Sequence, residues 1–220
     1  MYFLIENLPR FLQGFFITVE FTLFGSLMGL TLGTVLALGD IYGGRAVSNI
    51  IRVYVEFFRG SPLIIQLFIF YFTIPGLLSI ILDPFLVGFL VFSLNSAAYQ
   101  KGYIKGAIEA VSTDQMIAGL SIGLSKAQVI VHVILPQALR LVIPAWSNEF
   151  TSLAKSTPAL LVIGVGDLTS VAKSLTGRYY RPLETYTFVA IIYLIWVSVM
   201  AKIFDIVYDK YRVPGIEISA

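Results

Sequence analysis

A chain of 220 residues that is 57% hydrophobic and only 13% charged, with no cysteine and a net charge of +2, is not an ordinary soluble domain. Soluble domains sit near about 45–50% apolar and about 25% charged, and so small a positive balance leaves no electrostatic footprint for nucleic acid. Apolar runs close to the ~20 residues that a helix needs to cross a bilayer recur along the chain, and the ~10-residue alternating segments of a transmembrane barrel are absent.

The expected class is therefore an all-α integral membrane protein, whose backbone polar groups are satisfied within helices. Lack of cysteine excludes disulfide and thiol chemistry. The opening residues, MYFLIENLPR, place Glu6 and Arg10 before the first long run. That differs from the basic start and short apolar core of a cleavable signal.

The first predicted span runs from about Gln13 to Gly39. Gly25, Gly29 and Gly33 share one face, a spacing that lets helices approach closely in lipid, and packing within the chain is its expected use. Residues 40–52 read as a polar turn around Gly43-Gly44. The second span, about Val53–Ile74, opens with Glu56 and Arg59, is broken at Gly60-Ser61-Pro62 and ends at Pro75-Gly76. The third covers about Pro84–Gly106. A more polar stretch follows, "STDQMIAGLSIGLSKAQVIVHVILP", residues 112–136. A fourth span starts at Pro136 and reaches about Lys155. Residues 156–181 are mixed and interrupted by Gly164, Gly166 and Asp167. The last span, about Thr185–Ile206, precedes a charged tail.

Five spans put the termini on opposite sides of the membrane. The segments holding Arg45, Arg52, Arg59, Lys101, Lys105, Lys126, Lys202, Lys210 and Arg212 are richer in base than those holding Arg10, Lys173, Arg178 and Arg181. The positive-inside rule then places the N-terminus outside, the C-terminus inside and residues 112–136 in the cytoplasm.

Within that stretch, Ser112-x-x-Gln115 fits a capping box, Asp114 suits a first helical turn, and Gly123 can end a helix. Met116, Leu120 and Leu124 are spaced by four and are expected to share a face. This predicts a short amphipathic helix over about 112–125. It could rest on the membrane surface or dock into the groove of a cytosolic partner.

The spacing of this stretch resembles the cytoplasmic loop of ABC-importer permeases, E-A-A-x3-G-x9-I-x-L-P. Ile117-Ala118-Gly119 is followed after three residues by Gly123, and after nine more by Val133-x-Leu135-Pro136. "YVEFFRGSPLIIQLFIFYFTIP" (54–75), "LPQALRLVIPAWSNEFTSLAKSTPAL" (135–160) and "LPRFLQGFFITVEFTL" (8–23) are similar to the polar-amino-acid branch of that family.

The resemblance implies one transmembrane domain over residues 1–220, in the cytoplasmic (inner) cell membrane. It implies a permease subunit, not an enzyme, that pairs with an identical or related permease. ATPase subunits would dock on Thr113, Met116, Ile117, Ala118, Gly119, Leu120, Gly123 and Leu124. Magnesium–ATP would be bound by those partners, with no cofactor on this chain, and an extracytoplasmic amino-acid-binding protein would deliver substrate.

Two positions depart from the pattern. Ile117 stands where the motif has Glu, and Gly102 stands where the family's usual acid follows Ala-Tyr. The ATPase contact could be more apolar here, or the acids could be kept by a different, paired permease subunit.

No G-x-x-x-x-G-K-[ST] phosphate loop is present. The lone His132 reads as structural or interfacial, and neither a catalytic constellation nor a metal-ligand set is expected. Polar groups at mid-membrane depth are functional candidates. By counting, Gln66, Asn95 and Glu149, with Asn148 beside it, reach similar depth, and Glu149 suits an ammonium or guanidinium group. Helix–helix hydrogen bonding is the alternative for Gln66 and Asn95, and pairing with Arg140 or Lys155 is the alternative for Glu149.

Relatives specialised for cationic amino acids often carry an acid where this chain has Ser156, which leaves room for neutral or broadly polar substrates. Thr157, before Pro158, is expected to leave helical geometry. Glu20 reads as a further buried acid. A rival reading, a stand-alone ion- or proton-coupled carrier, would use Glu149 and Glu20 as proton sites.

Overall fold

The computed structural model describes residues 2–211, and the regular structure within them is helical. A short α1 (Tyr2–Glu6) leads into α2 (Leu8–Tyr42). At 35 residues, α2 is roughly 52 Å long, more than the ~30 Å of hydrocarbon in a bilayer, so its ends project beyond it.

Helix α3 (Gly44–Gly60) follows at Gly44, whose φ of 79° is open to glycine. Ser61 and Pro62 are extended, and α4 (Leu63–Leu78) departs at 108° to α3. Helix α5 (Pro84–Ser121) starts under an Asp83 cap, whose Oδ1 accepts from Leu86 N at 3.1 Å. Helices α6 (Lys126–Leu141) and α7 (Ile143–Ser156) follow. The latter tightens into a 3-10 turn over Thr157–Ile163, with a bend of 55° between α6 and the α7 segment. Helices α8 (Leu168–Tyr179) and α9 (Pro182–Tyr211) complete the described chain.

Among the described residues two helices, α2 and α9, are each long and apolar enough to cross a membrane. The bent pairs α3–α4 and α6–α7 bring the number to four if each is one broken span. Helix α9 buries only Thr185 and Val189, and its exposed Leu194, Ile195, Val199 and Ile203 suit hydrocarbon.

The glycine stripe of α2 is used within the chain. A Cβ at Gly25 would press on Phe92, one at Gly29 on Ser96 and Gln100, and one at Gly33 on the backbone of Lys101. Helix α5 therefore lies along α2 at close range. Gln100 Nε2 donates to Ser26 O at 2.9 Å, and Trp146 Nε1 donates to Ser26 Oγ at 2.7 Å.

Beyond the apolar stretch of α2, Asp40 meets Lys101 Nζ at 2.7 Å and Lys105 Nζ at 2.8 Å, and accepts from Ser48 Oγ. Lys101 first, then Lys105 and Ser48, hold its carboxyl well below the usual carboxylate range. Glu20 is not buried as expected. It faces out from α2.

The stretch at 112–125 does not form a separate helix. Helix α5 runs unbroken past Gly106 to Ser121, because Ala107, Ile108 and Val111 continue its buried stripe. Ser112 is mid-helix and donates back to Glu109 O at 3.4 Å, so no capping box forms there. The box forms at Ser125, whose Oγ accepts from Gln128 N while Gln128 Oε1 accepts from Ser125 N at 2.8 Å.

Between the two helices the chain turns at Gly123, with a φ of 86°. Leu124 N donates to Gly119 O, and Gly123 N to Leu120 O, each at 3.1 Å. This glycine-terminated Schellman stop satisfies carbonyls that the helix end leaves free. Gly119 permits the elbow, since a Cβ there would come within 2.5 Å of Val129 Cγ2.

Candidate functional site

The 108° bend between α3 and α4 leaves helix-end carbonyls without partners, which hydrocarbon does not tolerate. Gln66 and Asn95 satisfy them. Gln66 Nε2 donates to Phe58 O at 2.8 Å, to Ser61 O at 2.9 Å and to Ser61 Oγ at 3.0 Å. Asn95 Nδ2 donates to Gln66 Oε1 at 3.0 Å and to Phe58 O at 3.2 Å. Both amides are buried and their NH2 groups hold the bend, which is the helix–helix use that the sequence left open for them, while Asn95 also lines the cavity beside it.

Against this bend lies a cavity of about 450 Å³, lined among others by Arg59, Asn95, Tyr99, Glu149, Ser152 and Ser156. Its size falls within the about 300–1,000 Å³ of small-molecule sites. Glu149 comes from α7 and is 6% exposed. Among the described residues it forms no ion pair, neither with Arg140 nor with Lys155. The Arg59 guanidinium lies over the Tyr99 ring, 5.2 Å from its centroid. A second cavity, of about 430 Å³, is lined by Val55, Glu56, Arg59, Gly60 and Tyr99, so Arg59, Gly60 and Tyr99 form a wall common to both.

Of the six candidate substrate residues, Glu149, Asn95 and Ser156 meet at the first cavity. Gln66 is enclosed behind it. Asn148 is exposed and outside the lining. Thr157 is fully buried, donates to Ala154 O at 2.9 Å and meets Tyr193 Oη at 2.9 Å. Contrary to expectation, Thr157 keeps helical angles (φ −58°, ψ −27°). The strain before Pro158 is met by the narrower 3-10 turn.

Arg59, Tyr99 and Ser152 were not among the sequence candidates. Ser152 was legible, since 149, 152 and 156 fall on one helix face. The placement of Arg59 depends on how α3 meets α5, which no local pattern carries.

At the elbow, Met116 and Leu124 turn inward against the core formed by Ile108, Val111 and Val129, while Leu120 is exposed. The expected common face of these three residues does not form: Met116 and Leu120 are both on α5, yet only Met116 meets the core, and Leu124 reaches it from beyond the helix end. Ile117, Ala118, Leu120 and Ile122 make the outward tip, with Ile117 63% and Ile122 79% exposed. The Thr113 side chain lies outside the described residues.

Residues 29–212 match the model of the binding-protein-dependent transport system inner membrane component family. The chain belongs to this family. Among other members of it, the chain is 34% identical over 208 residues to the arginine transport system permease protein ArtQ of Bacillus subtilis, covering 94% of this chain and 95% of that one. It is 31% identical over 197 residues to the glutamine transport system permease protein GlnP of Escherichia coli, covering 89% and 90%. The crystal structure of an amino acid ABC transporter with histidines superimposes with a TM-score of 0.85 at 28% identity, over 94% of this chain and 96% of that chain. The resemblance to amino-acid ABC permeases that the motifs carried is thus shown.

Proposed function

We propose that the chain is the transmembrane permease subunit of an ATP-driven importer of polar amino acids. The observation that carries this reading is Glu149, a nearly enclosed carboxylate without a basic partner, opening into a polar cavity beside a helix bend. A buried charge without a partner is costly, and in a transport pathway the substrate is the partner that removes the cost. The neutral lining at Asn95, Ser152 and Ser156 suits uncharged polar side chains.

Five crossings, with the N-terminus outside, put the α5–α6 elbow in the cytoplasm. Its apolar tip at Ile117, Leu120 and Ile122 offers an ATPase subunit a surface from which nucleotide-driven motion can be passed to α5. Ile117 in place of the motif's acid makes that contact more apolar. Two permease subunits, identical or related, form the pathway in the cell membrane. ATP is hydrolysed by the partner subunits, and a binding protein outside delivers the substrate. Glu20, exposed on α2, is a poor proton site, which weakens the rival reading of a stand-alone carrier.

The test is reconstitution with ATPase and binding-protein partners over a panel of amino acids. Substrate-stimulated ATP hydrolysis that survives Leu120→Asp with Gly123→Pro would remove the docking assignment. An unchanged panel with Glu149→Gln would remove Glu149 as a ligand, and uptake by the chain unaided would favour the carrier.

A further inference from the structure

Arg59 is a cation without a carboxylate. Among the described residues no Asp or Glu oxygen lies within 4.0 Å of it, although Glu149 lines one of its two cavities and Glu56 the other. Its neighbour on α5 is Gly102. A Cβ built at Gly102 would meet a single group within 4 Å, Arg59 Nη1 at 3.7 Å. An acidic side chain at 102 would therefore grow directly onto the guanidinium, and glycine leaves that cation open.

We propose that Arg59, left without an internal counter-ion by Gly102, receives the α-carboxylate of the substrate, while Glu149 across the same cavity takes the α-ammonium. This deepens the importer reading and rests on it. A guanidinium presents paired N–H donors that match a carboxylate. The Tyr99 ring orients the cation through its face without using those donors. Arg59 and Glu149 face one cavity without closing into an ion pair, and a zwitterion entering between them gives each a direct opposite partner. The substrate side chain is then left to Asn95, Ser152 and Ser156, and with Glu149 engaged by the ammonium, an uncharged polar side chain is preferred to a cationic one. Arg59 stands on the wall common to both cavities, so the carboxylate is held at that wall.

The experiment uses the detergent-purified complex of the permease with its ATPase, without binding protein. Equilibrium dialysis measures labelled L-glutamine, its α-carboxamide and L-arginine. Arg59→Gln is expected to weaken L-glutamine by about tenfold or more, the worth of a charge-assisted hydrogen bond, and to leave the carboxamide within about twofold. Gly102→Glu is expected to give the same loss by neutralising Arg59 in place, with no further loss when the two changes are combined. Arg59→Lys is expected to recover part of the affinity, and L-arginine to bind more weakly than L-glutamine.

Equal losses for L-glutamine and its carboxamide in Arg59→Gln mark a structural role and overturn the assignment. So does unchanged binding in Arg59→Gln while Glu149→Gln still weakens L-glutamine, an outcome that leaves the importer reading standing. A preference for L-arginine overturns the pairing of Glu149 with the ammonium. A wild-type complex that holds none of the probes overturns both readings.

Discussion

The bend at Gly60–Pro62 and the elbow at Gly119–Val129 are both places where a helix stops and another begins after a short turn, yet they are built from opposite materials. The bend is braced by side-chain amides: Gln66 and Asn95 reach three backbone or hydroxyl oxygens and each other. The elbow is held by its own backbone turn at Gly123 and by apolar contact between Gly119 and Val129. Directional hydrogen bonds hold one geometry and keep polar groups available in an apolar setting, as a binding site requires. Close packing around a glycine makes a stiff corner that moves as one piece, as a handle requires. The difference predicts that damage at the two places separates: the bend should govern substrate affinity, and the elbow should govern attachment of the ATPase.

The largest effect is expected for Gln66→Leu. It leaves Ser61 O without its side-chain donor and Asn95 Nδ2 without the Gln66 Oε1 acceptor, while Phe58 O keeps only Asn95, at about 3 kcal/mol from unsatisfied buried groups. Thermal unfolding should show the loss, and amino-acid binding should fall while ATPase co-purification persists. Loss of ATPase attachment alone would break the contrast.

Gly119→Val should cost about 2 kcal/mol by overpacking against Val129, with the opposite signature: reduced ATPase co-purification and retained substrate binding. Asp40→Asn, which leaves Lys101 and Lys105 facing each other at the base of that region, should cost about 1–2 kcal/mol. Because the Asp40 carboxyl is held low, its contribution is fully present above the ordinary carboxylate pKa of about 4, declines as pH falls below that, and is gone once pH has passed through the lower folded value. The wild-type advantage over Asp40→Asn in melting temperature should thus be flat near neutrality and shrink in acid. Ser125→Ala should cost about 1 kcal/mol through loss of the α6 cap and lower the melting temperature without altering substrate affinity.

Much of this was legible in residue order. The all-helical membrane class, the Pro62 and Gly123 breaks, the in-chain use of Gly25, Gly29 and Gly33, and Glu149 as an inward acid follow from periodicity and from glycine and proline chemistry. The capping box shows the limit. Ser112-x-x-Gln115 and Ser125-x-x-Gln128 are the same local signal, and the choice between them was made by Ala107, Ile108 and Val111, which keep α5 packed and helical through Ser112. Glu20 was misread because a charge inside an apolar run says nothing about which side of the helix faces the core. Arg59 and Gly102 lie far apart in the chain, and only the crossing of α3 and α5 makes a missing side chain at one position matter to the other.

The two π turns, Ile69–Thr73 and Ile130–Ile134, stand just ahead of Pro75 and Pro136. A proline cannot donate to the turn before it, and a wider turn takes up the mismatch. Each π turn also holds one residue more than an α-turn would. The nine-residue spacing from Gly123 to Val133 therefore counts a phase as well as a length. Deleting one residue from 130–134 would shorten α6 by only about 1.5 Å but rotate everything before it by about 100°. The tip at Ile117 and Leu120 would then be aimed at a different quadrant, with its chemistry intact.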